Sequence, residues 1–290
     1  MIEGRYRLAV LADIHGILPA LEAVVADMQP GSLDEIIVAG DFLGGPQPVA
    51  VFSRLMDLGC RFILGNGEVN MLKMFRGRAP EAWWTHRQFD MGRWIYEQLD
   101  TKHLCFLENL PEQRVIDPPD VEPVRIIHGA PWDVNKLVFP HKEPDVFTRA
   151  LRMVNENILV FAHTHLPEIL RQDGKLAVNP GSVSNNLDGD TRASYATLTW
   201  DNHRWIPTLH HVPYDLGAVI QVFKSSGFLE DNRPLARAFL ESILTGENTA
   251  MDYILFARQK AREAGYENTE IIPDEVWLAA EADFPWQFMF

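Results

Sequence analysis

Apolar runs of strand length alternate with amphipathic runs of helix length along the first half of the chain. The strand-like runs RLAVLAD, EIIVAG and RFILGN are separated by helical patterns from Pro19 to Asp27 and from Pro46 to Leu58. Both prolines suit the first turn of a helix, where a missing amide proton costs no hydrogen bond. This alternation predicts βαβ units and a largely parallel sheet.

The pattern changes in the middle of the chain. A helical and aromatic stretch from Glu68 to Leu99 precedes two buried strands, VRIIHGAP and NILVFAHTH, which a helix from Asp145 to Asn155 separates. EILRQDGKLAVNPGSV predicts a hairpin at Asp173-Gly174, a favoured pair for a type I′ turn, and ASYATLTW with HRWIPTLHH predicts another. The chain is therefore predicted to be an α/β protein, a four-layer αββα sandwich of two mixed β-sheets flanked by helices.

The composition becomes helical after Tyr214, in segments such as LARAFLESIL and MDYILFARQKAREAG. We expect a main domain over residues 1–215 and a C-terminal helical extension over residues 216–290. The terminal segment FPWQFMF is too apolar to stay in water, so it is expected to pack on the body or on a second subunit. The second alternative would make the protein a homo-oligomer.

Composition and charge narrow the function classes. The chain has 290 residues, 47% of them hydrophobic, and a formal net charge of −14, which disfavours a stable nucleic-acid partner. No apolar run approaches the roughly 20 residues of a membrane helix, and no signal peptide is recognised, so a cytoplasmic protein is expected. Cys60 and Cys105 lie in separate apolar segments and are expected to be buried free thiols.

Polar side chains collect directly after the predicted strands, where open α/β sheets form their ligand crevice. Asp13 and His15 follow the first strand, and His163 and His165 follow a later one. Residues two apart on an extended chain point the same way, so each pair is expected to converge on one point, with Thr164 facing away. The complete set is Asp13, His15, Asp41, Asn66, His128, His163 and His165.

This set predicts a metal centre. A single aspartate at a strand end is commonly a turn or helix cap, and a single histidine is commonly a packed, half-buried residue. Their joint occurrence at successive strand ends favours the ligation of metal ions. Oxygen and nitrogen donors without a thiolate favour manganese, iron or zinc over calcium or copper. We expect two divalent metal ions, manganese first, with iron, zinc or nickel as alternatives, bridged by a carboxylate.

The motifs DIHG, GDFLG, GNGE, HG, HTH and NPGSV stand in the order found in the calcineurin-like metallophosphoesterases. The chain resembles that family over about residues 7–215, and in particular its small bacterial branch that opens with DIHGN. The resemblance implies that residues 1–215 form the metallophosphoesterase domain. The family's fold, a pair of mixed sheets between helices, agrees with the pattern.

The resemblance also implies roles. Asp13, His15 and His165 would hold the first metal, Asn66, His128 and His163 would hold the second, and Asp41 would bridge them. Asp41, Asn66 and His128 would thereby act in catalysis, and Asn66 would also bind substrate.

The implied activity is that of a hydrolase, a metal-dependent phosphoesterase. Two divalent ions lower the pKa of a shared water, so that a metal-bridging hydroxide attacks phosphorus without a protein nucleophile. We expect cleavage of phosphodiester or phosphoanhydride bonds in a small phosphorylated substrate, with nucleotides favoured. A serine/threonine-type phosphoprotein phosphatase and a non-catalytic metal-binding scaffold of the same fold are the alternatives.

One position departs from the common family pattern. Many relatives have GNH where this chain has Gly67, and their histidine can protonate the leaving group. A positioned general acid contributes a factor of about 10² to 10⁴, so Gly67 predicts a preference for leaving groups of low pKa. Glu68, His103 and His141 are the alternative acids, although each is expected to be a surface or packing residue.

Two further interpretations concern the cleft. Asn179 and Ser182 in NPGSV are expected either to contact a substrate phosphate or to belong to a turn that closes the sheet onto the site. Trp83 and Trp84 are expected to pack a cap against the core, with stacking on a planar ligand as the alternative.

Overall fold

Ten strands form two five-stranded sheets in the computed structural model, which describes residues 6–230 and 234–288. The strands are β1 (Arg7–Leu11), β2 (Glu35–Val38), β3 (Arg61–Phe62), β4 (Gln113–Ile116), β5 (Val124–Ile127), β6 (Ile158–Val160), β7 (Glu168–Gln172), β8 (Lys175–Asn179), β9 (Ala193–Trp200) and β10 (Trp205–Val212). The first sheet has the order β10-β9-β1-β2-β3 and the second has the order β4-β5-β6-β8-β7.

Helices cover the outer faces of both sheets and form the end of the chain. They are α1 (Leu18–Met28), α2 (Pro48–Asp57), α3 (Asn66–Phe75), α4 (Ala82–Thr85), α5 (Asp90–Gln98), α6 (Thr101–Glu108), α7 (Pro144–Met153), α8 (Leu216–Ser225), α9 (Pro234–Thr245), α10 (Thr249–Glu263) and α11 (Asp274–Asp283). Among these described helices, none has the length and apolar character needed to cross a membrane.

Both sheets are mixed, as the sequence predicts. Strands β1, β2 and β3 run parallel, as do β5, β6 and β8, while antiparallel strands complete each sheet. The hairpin of β7 and β8 turns at Asp173 and Gly174, whose φ angles of 52° and 78° are both positive, as a type I′ turn requires. Strands β9 and β10 form the other predicted hairpin.

The two sheets pack face to face, and each has helices on its outer side. Val10, Val160 and Leu198 belong to the apolar layer between the sheets. A larger core lies between the first sheet and its helices, and Phe147 packs α7 against the second sheet. The predicted four-layer αββα sandwich is confirmed.

Three local features differ from the sequence analysis or were missed by it. The stretch from Glu68 to Leu99 is not continuous, because Gly77 ends α3 with a φ of 64° and a short 3-10 turn at residues 87–89 separates α4 from α5. Strand β4 was not predicted, since QRVI is short and carries two polar residues. Cys105 is an exposed free thiol, not a buried one.

The C-terminal helices have an apolar centre of their own. Tyr253 and Trp277 are fully buried between α10 and α11, and the rings of Phe284 and Trp286 pack on Tyr253 at centroid distances of 5.3 and 5.4 Å. The terminal apolar segment therefore packs on its own chain through Phe284 and Trp286, whereas Phe288 is exposed. Met289 and Phe290, also part of that predicted segment, lie outside the described residues.

We predict that Tyr253→Phe lowers the free energy of unfolding by about 0.5 to 1.5 kcal/mol, because it removes a buried hydrogen bond between α10 and α11. The Tyr253 hydroxyl donates to the Trp277 carbonyl oxygen at 2.6 Å. Urea unfolding followed by circular dichroism measures the change. Tyr266→Phe deletes the same atom from an exposed side chain and is expected to cost less than about 0.5 kcal/mol. Equal losses would contradict the prediction.

Candidate metal centre

The loops after the parallel strands of both sheets meet at one edge of the sandwich. The backbone N–H of Asp13, after β1, donates to the carbonyl oxygen of Gly40, after β2, at 3.1 Å. In the second sheet, the N–H of Ala162 donates to the carbonyl oxygen of His128 at 2.8 Å. Because these loops continue the strand pairing, the seven candidate ligands are brought together.

The ligands do not converge along extended chain, as the sequence interpretation assumed. Five of the seven have left-handed backbone, with φ angles from 46° to 69°. Side chains without β-branching adopt this region at a cost, and such residues concentrate at functional sites. The spacing of two residues is therefore produced by tight loops. The five residues are Asp13, His15, Asp41, His163 and His165.

Asp13, His15 and His165 form the first group of candidate ligands. The Nε2 atoms of the two histidines are 3.2 Å apart, and Asp13 Oδ1 lies 3.4 Å from His165 Nε2. Asp13 Oδ2 accepts a hydrogen bond from the N–H of His163, whereas Oδ1 is buried without a hydrogen-bond partner. One carboxylate oxygen is thus anchored and the other is directed at the two imidazoles.

Asp41, His128 and His163 form the second group. Asp41 Oδ2 lies 3.7 Å from His128 Nε2, and Asn66 Oδ1 lies 3.0 Å from the same nitrogen. Asp41 Oδ1 accepts a hydrogen bond from the N–H of Gly67 at 2.8 Å. Asn66, the first residue of α3, therefore joins this group through the position of its amide oxygen.

The hydrogen bonds of the imidazoles fit ligation of cations. Nδ1 of His128 faces the Ala39 carbonyl oxygen at 2.8 Å, and Nδ1 of His165 faces that of Asn185 at 2.6 Å. A carbonyl can only accept, so both Nδ1 atoms carry protons, and the neutral form of each ring would turn an Nε2 lone pair toward the site. There the lone pairs face other acceptors, at separations that ligand atoms about 2.1 Å from one ion also have. The residues present therefore fit two divalent cations.

Charges within the site alter the pKa values of its members. Burial opposes ionisation of Asp13, but the imidazole of His165 outweighs it and lowers the pKa of the carboxyl below its usual range. Burial lowers the pKa of His15 to about 4, so that ring is neutral near pH 7, as a metal ligand must be. For His128 burial is outweighed by Asp41 and Asp13, and the pKa is raised. The carboxylate charge at this position also favours a divalent cation.

Glu68 was expected at the surface or in packing, and the structure gives it a positioning role. Its fully buried carboxylate accepts hydrogen bonds from the N–H groups of Asp41, Leu43 and Gly65 at 2.8 to 2.9 Å. Burial, together with the charge of Asp41, raises the pKa of Glu68 to about 7. This side chain fixes the loop that carries Asp41 to the start of α3. Its position three residues after the N-cap Gly65 is the signal that could have revealed it.

Glycine is required where these loops touch. A Cβ atom at Gly65 would lie 2.1 Å from Asp41 Oδ1, and one at Gly40, whose φ is 88°, would lie 2.7 Å from His128 Nδ1. Larger residues would push a candidate ligand out of place. The glycines of GDFLG and GNGE thus give the metal centre its short distances.

Asn179 and Ser182 do not face the cleft. Both side chains are fully buried. Asn179 donates to the Thr164 hydroxyl at 2.9 Å, and Ser182 donates to the Asp13 carbonyl oxygen at 2.6 Å. Neither side chain has exposed surface in this structure, and their contact with a substrate phosphate stays a prediction. Asn179 and Ser182 hold the loops that carry His163, His165 and Asp13. This arrangement agrees with the other expectation for NPGSV, a turn that closes the sheet onto the site.

A cavity of about 520 Å³ opens beside the two groups of ligands. Its walls come from α3, from the segment of residues 83–95, from the loop after β5, and from α9 and α10. Trp83 lines it, whereas Trp84 is exposed and packs on Tyr96. Among the residues that the structure describes, Arg93 is the ionisable lining residue apart from the candidate ligands. Its guanidinium donates to the carbonyl oxygens of Trp83 and His86 and pairs with Asp90.

The other candidate acids lie outside this cavity. The N–H of His103 donates to the side chain of Asp100 that caps α6, and the His103 ring packs on Phe52. The exposed ring of His141 lies 3.4 Å from Glu168. Both fit the expected structural roles, and neither lines the cavity.

Comparisons with known proteins agree with this site. A family model described as the calcineurin-like phosphoesterase superfamily domain matches residues 6–203. An uncharacterized protein of Methanocaldococcus jannaschii is 27% identical over 230 residues, which cover 72% of this chain and 88% of the relative. A metallophosphoesterase structure from Sphaerobacter thermophilus matches with a TM-score of 0.67 and 24% identity, over 83% of this chain and 99% of that chain. The structure of a hypothetical protein from Pyrococcus horikoshii OT3 matches with a TM-score of 0.67 and 18% identity, over 80% of this chain and 97% of that chain.

The match extends over more than half of the chain and includes all seven candidate ligands. This chain belongs to the calcineurin-like phosphoesterase superfamily, and the resemblance read from its motifs is confirmed. Helices α8 to α11 lie beyond the matched residues, although α9 and α10 line the cavity.

We predict that Glu68→Gln weakens Mn²⁺ binding by about 10- to 100-fold, because it disturbs the support of a ligand. The glutamine amide nitrogen must face a backbone N–H donor, so the free energy of unfolding is also expected to fall by about 1 to 3 kcal/mol. Calorimetric Mn²⁺ titration at about pH 8 keeps the wild-type carboxyl mostly ionised.

Glu97→Gln is the matched control, since Glu97 is exposed on α5. It should change neither quantity. Unaltered Mn²⁺ affinity in Glu68→Gln would show that the position of Asp41 does not depend on Glu68.

Proposed function

We propose that this protein is a metal-dependent phosphoesterase that hydrolyses phosphodiester or phosphoanhydride bonds in small substrates, with nucleotide-type compounds as the first to test. The observation that carries the proposal is the convergence of seven oxygen and nitrogen donors in two adjacent groups, in a chain of the calcineurin-like phosphoesterase superfamily. Manganese is the proposed metal, because this donor set suits it and contains no thiolate.

The proposed first metal position is held by Asp13, His15 and His165. The proposed second position is held by Asn66, His128 and His163, and Asp41 is shared between them. When bound, two divalent cations supply a water of lowered pKa and neutralise the phosphate oxygens.

The chain's own residues hold this arrangement and limit its freedom. Ala39 and Asn185 fix the orientation of two imidazoles through their carbonyl oxygens. The N–H of His163 donates to the Asp13 carboxylate, and the N–H of Gly67 donates to the Asp41 carboxylate. These hydrogen bonds hold the two carboxylates in the orientation that ligation needs. No rearrangement of these groups is then required when a substrate phosphate enters, and such preorganisation is a main source of catalysis.

The described part of the site has no evident general acid to protonate the leaving group. Gly67 has no side chain to offer a proton. Within residues 6–230 and 234–288, the ionisable groups on the cavity wall are candidate ligands or the paired Arg93. We therefore propose that the enzyme acts best on esters whose leaving group is a weak base, such as nucleotide phosphates or aryl oxides.

The two alternative functions have less support. A scaffold that had lost its metals would be expected to lack ligands, whereas all seven are present and close together. A phosphoprotein phosphatase needs an open surface for a peptide, whereas this cleft leads into a cavity with apolar walls.

We predict that metal-stripped protein does not hydrolyse bis-p-nitrophenyl phosphate, that Mn²⁺ restores hydrolysis, and that Asp41→Asn reduces kcat by at least about 10²-fold. The asparagine lacks the charge with which the shared carboxylate holds both cations. Asp57→Asn alters an exposed aspartate at the end of α2 and should keep the wild-type rate. Inactivity of folded protein with bound Mn²⁺ would favour the scaffold.

We also predict that kcat falls steeply as the pKa of the leaving group rises in a series of aryl methyl phosphodiesters. A site without a general acid leaves the full negative charge on the departing oxygen. The series keeps the methyl group constant, and kcat at saturation removes differences in binding. A flat dependence would mean that an acid acts at this site.

A further inference from the structure

The cavity next to the metal centre has walls with a distinctive composition. Four methionines line it, two of them from α3 and nearly buried. Methionine side chains adapt their shape and make favourable contacts between sulfur and aromatic rings. The four are Met71, Met74, Met91 and Met251.

Four aromatic side chains complete these walls, and they come from separate parts of the chain. Phe239 of α9 is placed edge-on to the ring of His15, with 5.7 Å between the ring centroids. The rings of Trp83 and Phe89 pack together with their centroids 6.0 Å apart, and Phe139 lies in the loop after β5. The apolar space therefore begins at a proposed metal ligand and extends away from it.

Several polar groups of the wall already have partners, whereas the side-chain oxygen of Asn185 is buried without one. The Gln88 amide donates to the carbonyl oxygen of Glu270 at 3.0 Å and accepts from the N–H of Ile272 at 2.6 Å. The side-chain oxygen of Asn248 caps α10, and that of Asn70 accepts from Lys73. A nucleobase carries several donors and acceptors, and burying them without partners is costly. An apolar ring has no such requirement.

The same contacts make the cavity a built feature. Gln88 joins the segment before α5 to the chain between α10 and α11, and the N–H of Arg87 donates to Asp274 at the start of α11 at 2.8 Å. The segment that carries Gln88 and Phe89 is therefore fixed to the chain around the start of α11. A wall that is held in place in this way lowers the entropic cost of binding a ligand.

We infer that this cavity, resting on the proposed phosphoesterase activity, is a specificity pocket for an apolar aromatic group carried by the substrate. The phosphate lies at the metal centre and the ring lies between the methionines of α3 and the helices α9 and α10. Within the small substrates of the proposed function, this pocket favours an ester of phosphate with an aromatic, weakly polar alcohol over a nucleotide. Helices beyond the matched family region contribute to this selection.

Calorimetric titration of Mn²⁺-loaded protein with phosphonates tests the pocket without turnover. Phenylphosphonate is expected to bind at least about tenfold more tightly than methylphosphonate, since hydrophobic pockets discriminate by about 10- to 200-fold per methylene. Thymidine 5′-monophosphate, which offers a nucleobase, is expected to bind more weakly than phenylphosphonate. Equal affinities for the two phosphonates, or tighter binding of the nucleotide, would overturn the inference.

Two variants locate the binding, and neither changes a proposed ligand. Ala250→Trp fills the cavity from α10, and Phe89→Ala removes a ring from the opposite wall. Each is expected to bring the affinity ratio of phenyl- to methylphosphonate close to one. Leu255→Ala, also on α10 but 52% exposed and outside the cavity, should keep the wild-type ratio. A ratio that survives both cavity variants would overturn the inference even if one variant folds poorly.

Hydrolysis of bis-p-nitrophenyl phosphate by the same preparations separates the two proposals. Loss of hydrolysis with an intact phosphonate preference would defeat the proposed activity and leave the pocket. Hydrolysis without any preference would defeat the pocket alone. If the protein binds neither phosphonate, both proposals fail.

Discussion

The candidate metal centre depends on a backbone conformation that its residues do not favour by themselves. Five candidate ligands have positive φ angles, at a cost of about 1 to 2 kcal/mol for each L-residue. Hydrogen bonds that run from loop to loop offset this cost. The N–H of His15, for example, donates to the Asp41 carbonyl oxygen at 3.0 Å. The sandwich must therefore be complete before the ligands converge.

Buried polar side chains also stabilise the loops that carry the candidate ligands. Glu68 holds the loop of Asp41, and Ser182 holds the loop of Asp13 through its carbonyl oxygen. Each of them has satisfied hydrogen bonds in a region without solvent, where an unpaired group would be costly. Asp13 Oδ1 is the exception, since it is buried and has no hydrogen-bond partner. An unsatisfied carboxylate oxygen facing two imidazoles is what a cation site requires.

Much of this arrangement could be predicted from the sequence, because strand-end motifs are local. Asp13, Asp41 and His128 each follow an apolar run directly, and parallel strands bring such positions to one edge. The backbone of the pairs Asp13 with His15 and His163 with His165 was misjudged as extended, since periodicity describes strands and not the loops after them. The positioning role of Glu68 was missed, because it depends on contacts between distant parts of the chain.

The cavity could not be predicted at all, for the same reason. Its walls join α3 and residues 83–95 to α9 and α10, which lie about 150 residues further along the chain. Each contributing segment has an ordinary amphipathic pattern, and only their packing creates an apolar space next to His15. Trp83 and Trp84 show why sequence alone could not identify the cavity walls. They are adjacent in sequence, but Trp83 lines the cavity and Trp84 is exposed.

Two groups of side chains are proposed to hold two divalent cations at this edge of the sandwich. Anomalous diffraction from crystals grown with Mn²⁺, collected near the manganese absorption edge, would locate such ions. Two peaks are expected, one among Asp13, His15 and His165 and one among Asn66, His128 and His163, with Asp41 in contact with both. A single peak, or peaks away from these side chains, would contradict the proposed metal centre.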